Sequence, residues 1–372
     1  MVKTKLIAMY LPQFHEIPEN SMFWGDGFTD WVTVKNAKPL FDGHYEPRKP
    51  MDGIYYDLSS KQAIAKQIAQ ANEAGIYGFC MYHYWFSTQK NILETPSEII
   101  LQNKDMNINF CFAWDNASWI RSWSNVPGND WAPVAENNAA KDLSVAKTGV
   151  LIKYELGNED DWKAHYDYLK KFFLDSRYIK TNSKPVFIIW NYSEQIKRME
   201  EYWNNLAIQD GFAGIEFIHK YKTKPQLPVG LKSFFYEPAH SSWEMLSYRV
   251  KNKILNYMSD KRIKKYDYDK VWKSNIANAK KNKDTDVYFG AFVDYDDTPR
   301  RGINGQLMVG ASPLKFEKYL KQLIDINEQR NNPYIFLTAW NEWGEGAYLE
   351  PDTVNKDEYL QAIKKIFGGN GK

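Results

Sequence analysis

Short apolar runs rich in β-branched and aromatic residues recur along the chain, and stretches with helical periodicity separate most of them. Such runs, bounded by polar residues, Gly or Pro, are typical of buried strands. The pattern predicts eight strands, at residues 5–10, 76–82, 108–113, 185–190, 214–218, 233–236, 287–293 and 334–339.

The intervening stretches place apolar residues three and four positions apart, as in Ile64, Ile68 and Ala71, with Gly75 as a helix C-cap. The predicted helices span residues 59–74, 93–102, 162–174, 194–209, 312–328 and 357–367. Eight strands alternating with helices indicate an α/β fold. We therefore predict a single (β/α)8 TIM barrel domain over residues 1–372, with long loops at its rim.

Polar and aromatic side chains follow most of the predicted strands. In a barrel the carboxyl ends of the strands converge on one face, where active sites are built. The histidines among these side chains are interpreted as hydrogen-bonding pocket residues, any of which could serve as an acid or base. The candidate substrate-binding residues are Tyr10, Gln13, His15, Trp31, His83, Tyr84, Trp114, Asn116, Trp119, Arg121, Glu237, His240, Asp294, Asp296, Arg300, Asn341 and Trp343.

The last predicted strand runs into two carboxylates, Glu342 and Glu345, which we take as the catalytic candidates. Most carboxylates are solvated or paired at the protein surface. These two instead follow an apolar strand, with Trp340 before them and Trp343 between them. Each would be partly desolvated and would repel the other, so one should hold a proton near neutral pH. An acid beside a base is what glycosidic bond chemistry requires.

Aromatic residues make up 16% of the chain, and many Trp residues stand beside Asn, Asp, Glu or Arg. Such surroundings suit the apolar faces and hydroxyl edges of sugars, so an oligosaccharide or glycolipid substrate is expected. The net charge of +2 gives no basis for a nucleic-acid partner. Cys80 and Cys111 lie inside predicted strands and are expected in the core. With no metal-ligand spacing and no Gly-rich phosphate loop, neither a metal nor a cofactor is expected.

The segment from Arg249 to Lys273 is basic and partly amphipathic. It is interpreted as a solvated helical face, and the alternative is docking to an anionic lipid surface or a phosphate-bearing acceptor. The chain shows no signal-peptide pattern and no apolar run long enough to span a bilayer. The expected location is cytoplasmic, with contact to the inner membrane as the alternative for this segment.

Several motifs together resemble the WbsX-type proteins of bacterial O-antigen and capsule clusters, which are described as glycosyltransferases. These proteins are in turn similar to glycoside hydrolase family 99, the endo-α-mannosidases, which are (β/α)8 barrels. The resemblance covers nearly the whole chain. It rests on residues 10–15 (YLPQFH), 24–31 (WGDGFTDW), 76–86 (IYGFCMYHYWF), 298–302 (TPRRG) and 340–346 (WNEWGEG).

The resemblance implies a retaining enzyme that needs no metal and acts on α-linked, mannose-like glycosides of surface polysaccharides. Carried over by position, Glu342 would deprotonate the sugar 2-hydroxyl, which attacks its own anomeric carbon. Glu345 would protonate the leaving oxygen and later activate water or an acceptor. The intramolecular attack is plausible because its effective molarity is high.

The chain departs from the WbsX pattern after the third strand, where the family usually has Trp-Ala-Asn-Glu-Asn-Trp. Here the order is Trp114-Asp115-Asn116-Ala117-Ser118-Trp119, so a carboxylate is missing at Ala117. Asp115, two residues away, does not simply replace it. The departure concerns a sugar contact and the identity of the substrate.

Three functions remain open from the sequence. The first is the retaining enzyme, which either cleaves or builds the bond depending on whether water or a sugar hydroxyl intercepts the intermediate. The second is a non-catalytic carbohydrate-binding barrel. The third is a nucleotide-sugar glycosyltransferase that holds a diphosphate with Arg300 and Arg301; the simpler interpretation is that one of these arginines pairs with Asp296 or Asp297.

Overall fold

The computed structural model describes residues 3–120, 150–222, 226–243, 245–258 and 263–368. Its centre is a ring of eight strands in which each strand pairs in parallel with the next and β1 also pairs with β8. The ring confirms the predicted (β/α)8 barrel, and each strand lies within a few residues of its predicted position. The strands are β1 (Lys5–Tyr10), β2 (Gly78–Ser87), β3 (Asn109–Trp114), β4 (Lys184–Ile189), β5 (Glu216–Lys220), β6 (Ser233–Phe234), β7 (Val287–Phe292) and β8 (Tyr334–Thr338).

The described helices are α1 (Pro18–Trp24), α2 (Asp30–Asn36), α3 (Lys61–Ala74), α4 (Thr95–Gln102), α5 (Glu159–Phe173), α6 (Glu194–Gln209), α7 (Ala239–Trp243), α8 (Leu246–Met258), α9 (Tyr268–Lys281), α10 (Thr298–Arg301), α11 (Pro313–Gln329) and α12 (Glu358–Gly368). Their ends follow local chemistry. Gly75 closes α3 with a φ of 88°, as the sequence predicts. At the start of α11 the Ser312 hydroxyl accepts the Lys315 N–H. No described helix is both long enough and apolar enough to cross a membrane.

The barrel core contains both cysteines, as expected. Cys80 on β2 lies opposite Cys111 on β3 in the parallel register, and both are buried free thiols. The strand β2 extends beyond its predicted end and continues to Ser87, where Lys90–Ile92 pairs with it in antiparallel fashion. This extension decides which way the aromatic residues after position 82 point.

The basic segment from Arg249 to Lys273 is not one helical face, and that interpretation is wrong. Helix α8 ends at Met258, and Lys264–Asp267 forms a short strand that pairs with Gln306–Val309. Asp267 then caps α9, accepting the Lys270 N–H. A polar run with helical composition can be drawn into a strand when a partner strand is available, because tertiary pairing overrides helix propensity.

Two features at the rim position the site. After β1, the chain folds into α1 and α2 over the barrel mouth. After β8, Asn341–Glu342 pairs in antiparallel fashion with Ala347–Tyr348, and the residues between them form a single 3-10 turn, Trp343–Glu345. One tight hairpin therefore presents both candidate glutamates.

Candidate functional site

The side chain of Arg300 bridges the two glutamates. Its Nη1 donates to Glu345 Oε1 at 2.7 Å, and its Nη2 donates to Glu342 Oε2 at 3.4 Å and to Asp30 Oδ1 at 3.2 Å. One buried guanidinium thus faces three carboxylates. Ion pairs of this kind are favourable only with several charge-assisted hydrogen bonds, which this arrangement supplies.

The third carboxylate, Asp30, is the first residue of α2 and is fixed by backbone contacts. Its N–H donates to the Gln13 carbonyl at 2.9 Å, and its Oδ2 accepts the Gly344 N–H at 3.2 Å. A Cβ at Gly344 would lie 2.6 Å from Asp30 Oδ2 and 2.8 Å from Arg300 Nε. Only glycine therefore fits at position 344 while Asp30 and Arg300 form their ion pair.

Glu342 is the more buried of the pair, at 4% exposure. Burial first, and the charge of Glu345 second, raise its pKa to about 8, while Arg300 opposes the rise. The side chain of Glu345 is 22% exposed and makes the shorter contact to Arg300. The site thus holds one carboxyl that keeps its proton near neutrality beside a more exposed one.

An aromatic wall stands next to the glutamates. The Tyr82 and Tyr236 hydroxyls lie 2.9 Å apart, and both have pKa values raised by burial and, to a smaller extent, by the charge of Glu342. The Trp190 ring packs on Tyr236 at 4.8 Å and on Tyr82 at 5.7 Å between centroids. Trp190 and Tyr236 are partly exposed, so the wall offers ring surface to a ligand.

Lys220, the last residue of β5, lies over this wall. Its Nζ is 3.7 Å from the Trp190 ring centroid and 4.5 Å from that of Tyr236, which are cation–π distances. Burial lowers the pKa of Lys220 to about 8, and the charges of Asp115 and Glu345 oppose this. Burial also raises the pKa of Asp115 to about 6, against the effect of Lys220.

The structure brings together only part of the predicted set. Glu342, Glu345 and Arg300 meet directly. Gln13 donates to the Tyr84 hydroxyl at 3.3 Å, and the charge of Glu342 contributes to the raised pKa of Tyr84.

Three predicted aromatic residues lie just beyond this group. Trp119 packs edge-on against Tyr84 at 5.5 Å. Trp31 and Trp343 pack on each other at 5.4 Å behind the hairpin, where the Trp343 Nε1–H donates to Glu350 at 2.6 Å.

Three candidates face the surrounding helices instead. The Tyr10 hydroxyl donates to Gln67 of α3, His83 contacts His165 of α5 at 2.8 Å, and Trp114 packs on the same His165 at 4.8 Å. Successive strand residues point to opposite faces, so Tyr82 and Tyr84 point inwards while His83 points outwards. The register pairs His83 with Trp114, which puts both on the outer face.

The two predicted asparagines bind backbone rather than the open site. Asn341 accepts the Leu11 N–H at 2.7 Å and donates to the Leu11 carbonyl at 2.9 Å, which joins the ends of β1 and β8. Asn116 makes the same kind of pair with the backbone of Asn191, beyond β3 and β4.

Asp294 and Asp296 belong to a neighbouring buried cluster around Arg48. The guanidinium lies 3.3 Å from Asp294 and 3.8 Å from Asp296, and its Nε donates to Glu46 at 3.2 Å. Asp296 also contacts His44 at 2.8 Å. The ligand atoms of His44, Glu46 and Asp296 lie close enough together to hold a metal ion. Arg48 already supplies positive charge there, so the donor set does not fit a cation.

The remaining candidates lie away from the glutamates or outside the described residues. Glu237 is fully buried, accepts both the N–H and the hydroxyl of Ser241, and has its pKa raised to about 7 by burial. His240 stacks on Phe235 at 4.2 Å. His15 is buried, and burial lowers its pKa, with Asp57 as the opposing charge. Arg121 is outside the described residues.

Arg301 does not join the site although it follows Arg300 directly. Its Nε pairs with Asp297 at 3.1 Å, and its side chain is 54% exposed. Arg300 therefore pairs with three carboxylates, and Arg301 pairs with Asp297. The simpler interpretation of the sequence, in which one of the two arginines pairs with Asp296 or Asp297, holds for Arg301.

Sequence reasoning missed Asp30, Tyr82, Trp190, Lys220 and Tyr236 as site residues. Asp30 lies inside the WGDGFTDW motif. Tyr82, Trp190 and Tyr236 are the last residues of three predicted strands, so the strand-end pattern contains a signal for each of them. Lys220 was missed because the fifth strand was predicted to end at residue 218.

Comparison with known protein families gives one match over most of the chain. The family described as glycosyltransferase WbsX matches residues 6–363. Two curated relatives, each called uncharacterized protein WxcX and from two strains of Xanthomonas campestris pv. campestris, are 28% identical. The alignments cover 97% of this chain and 49% of each relative. The chain thus spans about half the length of the curated relatives that it matches.

Solved structures resemble the chain in fold. Two are of the GH99 endo-α-mannosidase from Bacteroides thetaiotaomicron, one of them in complex with BIS-TRIS propane. Their TM-scores are 0.55 and 0.52 at 14% identity, and the matches cover 99% of this chain and 96% and 97% of theirs. At this identity the likeness establishes the barrel architecture, and nothing about the substrate follows from it.

Proposed function

The chain belongs to the WbsX glycosyltransferase family, and on this premise we propose that it is a retaining enzyme acting on α-linked, mannose-like glycosides in bacterial surface-polysaccharide metabolism. Family membership confirms the resemblance inferred from the motifs and the class of carbohydrate-active enzyme. The observation that carries the finer proposal is the bridge from Arg300 to Glu342 and Glu345. The activity, substrates and partners of the whole protein belong to this proposal, because the chain spans about half the length of its curated relatives.

The proposed reaction uses the glutamates in turn. Glu342 takes the proton of the sugar 2-hydroxyl while that oxygen attacks the anomeric carbon, and Glu345 gives its proton to the departing oxygen. Glu345 then deprotonates water or a sugar hydroxyl, which opens the 1,2-anhydro ring, and Glu342 returns its proton to the 2-oxygen. Protons balance over the cycle, and each carboxyl ends as it began.

The proton distribution of the pair favours a second assignment of the two roles, which the proposal includes as its second candidate. The raised pKa of Glu342 makes it the protonated member near neutrality. If substrate binding leaves that distribution unchanged, Glu342 is the acid and the more exposed Glu345 is the base. Both assignments use one proton on the pair, and they differ in which carboxyl must meet the leaving oxygen.

Arg300 supplies the fixed positive charge of the proposed site. A guanidinium that touches both carboxylates lowers their mutual repulsion and stabilises negative charge on whichever is ionised. The proposal therefore routes no step through a metal or cofactor. Gly344 allows the guanidinium to approach this closely.

The aromatic wall supports binding of a sugar. Trp190 and Tyr236 offer ring faces for C–H groups, and the Tyr82 hydroxyl and the Lys220 ammonium offer hydrogen bonds at the edge. We take the substrate to be an oligosaccharide or a glycolipid used in the cytoplasm. Hydrolysis and transfer differ only in whether water or a sugar hydroxyl completes the reaction.

The alternative of a nucleotide-sugar transferase gains no support from the arginines. A diphosphate would have to displace three carboxylates from Arg300 or Asp297 from Arg301. A non-catalytic sugar-binding barrel would not require two glutamates and an arginine at this spacing, because removing such charges from water costs stability even when they are paired.

The test is to screen α-mannosides, nucleotide sugars and lipid-linked sugars by product mass with wild type, Glu342→Gln and Glu345→Gln. Both variants should lose turnover while sugar binding stays measurable. Glu73→Gln, on the exposed surface, is the control and should behave as wild type. Unchanged turnover in both variants would remove the assignment, and product from nucleotide sugars alone would favour the transferase.

A further inference from the structure

Helix α8 presents an apolar stripe to solvent on the side away from its packing contacts. Leu246, Val250 and Ile254 recur every fourth residue, so they lie on one face, and they are 74%, 51% and 54% exposed. Tyr248 on the opposite side is buried and packs on Tyr266 at 4.7 Å. The helix therefore has one apolar contact to the protein and a second apolar face with no protein over it among the described residues.

Cations flank this stripe and no acid lies on the helix. Arg249 and Lys253 are on one side of the stripe and Lys251 is on the other, and the sequence of α8 contains no Asp or Glu. An apolar stripe bordered only by positive charge is typical of helices that lie in the interface of an anionic membrane.

The surface next to the stripe continues the same character. A hollow of about 310 Å³ is lined in part by Lys251, Lys265, Lys270 and Val309, and Val309 is 47% exposed. Among the described residues that line it, the one carboxylate is Asp267, which is engaged as the cap of α9. The positive charge of this hollow is therefore only partly compensated.

The stripe lies at the same end of the barrel as the glutamates. Helix α8 follows the carboxyl end of β6, and its neighbour Tyr266 donates to the Gln306 side chain at 2.7 Å. The Gln306 N–H in turn donates to Asp297 at 2.6 Å, in the segment that carries Arg300. A surface docked through α8 would therefore lie on the same side of the barrel as the candidate site.

We propose that this face of α8, formed by Leu246, Val250 and Ile254 with Arg249, Lys251 and Lys253, docks on an anionic lipid surface. The apolar side chains enter the boundary between headgroups and acyl chains, and the cations meet lipid phosphates. A free phosphate or a nucleic acid would use the cations and leave the apolar stripe in water. The proposal goes beyond the catalytic one, because it concerns binding and does not depend on turnover.

The test is co-sedimentation of the protein with vesicles of phosphatidylglycerol and phosphatidylcholine, compared with phosphatidylcholine alone. Wild type should bind the anionic vesicles, and added salt should weaken binding because it screens the cations. Replacing all three apolar residues by Ser should lower the partition coefficient roughly tenfold or more. Replacing Arg249, Lys251 and Lys253 by Gln should lower it about 100-fold, at about fivefold per charge.

Matched controls come from the other end of the barrel. Leu174→Ser with Ile208→Ser removes two apolar side chains that are 60% and 58% exposed, and Lys280→Gln with Lys281→Gln removes two cations. Both pairs should bind anionic vesicles as wild type does. All changes are at surface positions, and equal melting temperatures would show that folding is intact.

Four outcomes would overturn the proposal. Wild type could fail to sediment with anionic vesicles, or bind phosphatidylcholine equally well. The apolar variant could bind as wild type does. Light scattering could show a wild-type dimer that the apolar variant dissociates, in which case a second copy of the chain covers the face. None of these results bears on the glycosyl chemistry, which the glutamate variants test separately.

Discussion

The Arg300 guanidinium donates to Glu345 at 2.7 Å and reaches Glu342 at 3.4 Å, so a single cation lies against both candidate catalytic carboxyls. The shorter contact goes to the more exposed glutamate, while the more buried one has its pKa raised to about 8. The position of one arginine therefore helps to decide which glutamate carries the proton.

Replacing Arg300 by Met should abolish this control. Two buried carboxyls, Asp30 and Glu342, and the partly exposed Glu345 would lose their cation. Breaking a buried pair in this way costs about 3–5 kcal/mol of folding free energy. We expect turnover to fall by at least about 100-fold, in line with the loss of one electrostatic contact at a reacting centre. Denaturant titration and kcat/KM measure the two effects.

Arg301→Met is the matched control, one residue along the chain. Its partner Asp297 is buried, but the arginine itself is 54% exposed, so the expected loss is at most about 1 kcal/mol. Turnover should remain close to wild type. Equal effects of the two substitutions would show that Arg300 has no special relation to the glutamates.

The pH dependence of kcat/KM tests whether the pair must share one proton. Either assignment of acid and base needs one proton on the two carboxyls, so kcat/KM should fall as pH rises through the pKa of Glu342, about 8. Activity that continues undiminished well above pH 8 would contradict the shared proton.

The leaving group separates the two assignments, because only the acid acts on the departing oxygen. A glycosyl fluoride needs no proton on its leaving group, so it should restore part of the turnover to the variant that lacks the acid. We expect this restoration in Glu345→Gln and not in Glu342→Gln, and the reverse result would exchange the roles of the two glutamates.

Stability should also depend on pH through Glu342. Its pKa in the folded state, about 8, is above its ordinary value of 4.5, so the folded protein binds more protons between these values. The contribution of Glu342 to the free energy of unfolding is therefore fully present below about pH 4.5, and it is lost as pH rises through 8. Glu342→Gln should flatten the fall in denaturation midpoint between pH 5 and 8. An unchanged slope would show that the group is ionised in the folded protein throughout this range.

Glu350 offers a test of how the hairpin is supported. Its carboxylate accepts from the Tyr56 hydroxyl at 2.7 Å, the Gln67 amide at 2.8 Å and the Trp343 indole at 2.6 Å. Glu350→Ala leaves three donors without an acceptor, and we expect a loss of about 2–4 kcal/mol in unfolding free energy. Glu73→Ala, at an exposed ion pair, should lose less than about 1 kcal/mol. A small loss at Glu350 would mean that water replaces the carboxylate easily.

The sequence predicts the barrel well because each strand carries its own apolar signal and helical stretches separate most of the strands. The sequence also predicts that Glu342 and Glu345 lie close together, because they are three positions apart in one short motif. The ion pair with Arg300 was not, because it depends on a contact between α10 and a hairpin more than forty residues away.

Strand alternation explains the predicted residues that face elsewhere. A polar residue after an apolar run was expected to point into the mouth of the barrel, but β2 continues past residue 82 and turns His83 towards α5. Its neighbours Tyr82 and Tyr84 point into the mouth. Whether a residue is one position before or after the end of a strand decides its face, and sequence patterns do not locate ends that finely.

The double hydrogen bond between Asn341 and the backbone of Leu11 ties together the first and the last strand of the ring. The residue that follows this clamp is Glu342. A ribosome-bound chain therefore cannot place Glu342 before β8 has emerged and paired with β1. Splitting the gene between β1 and β8 should leave two inert pieces whose mixing restores function only if the ring recloses.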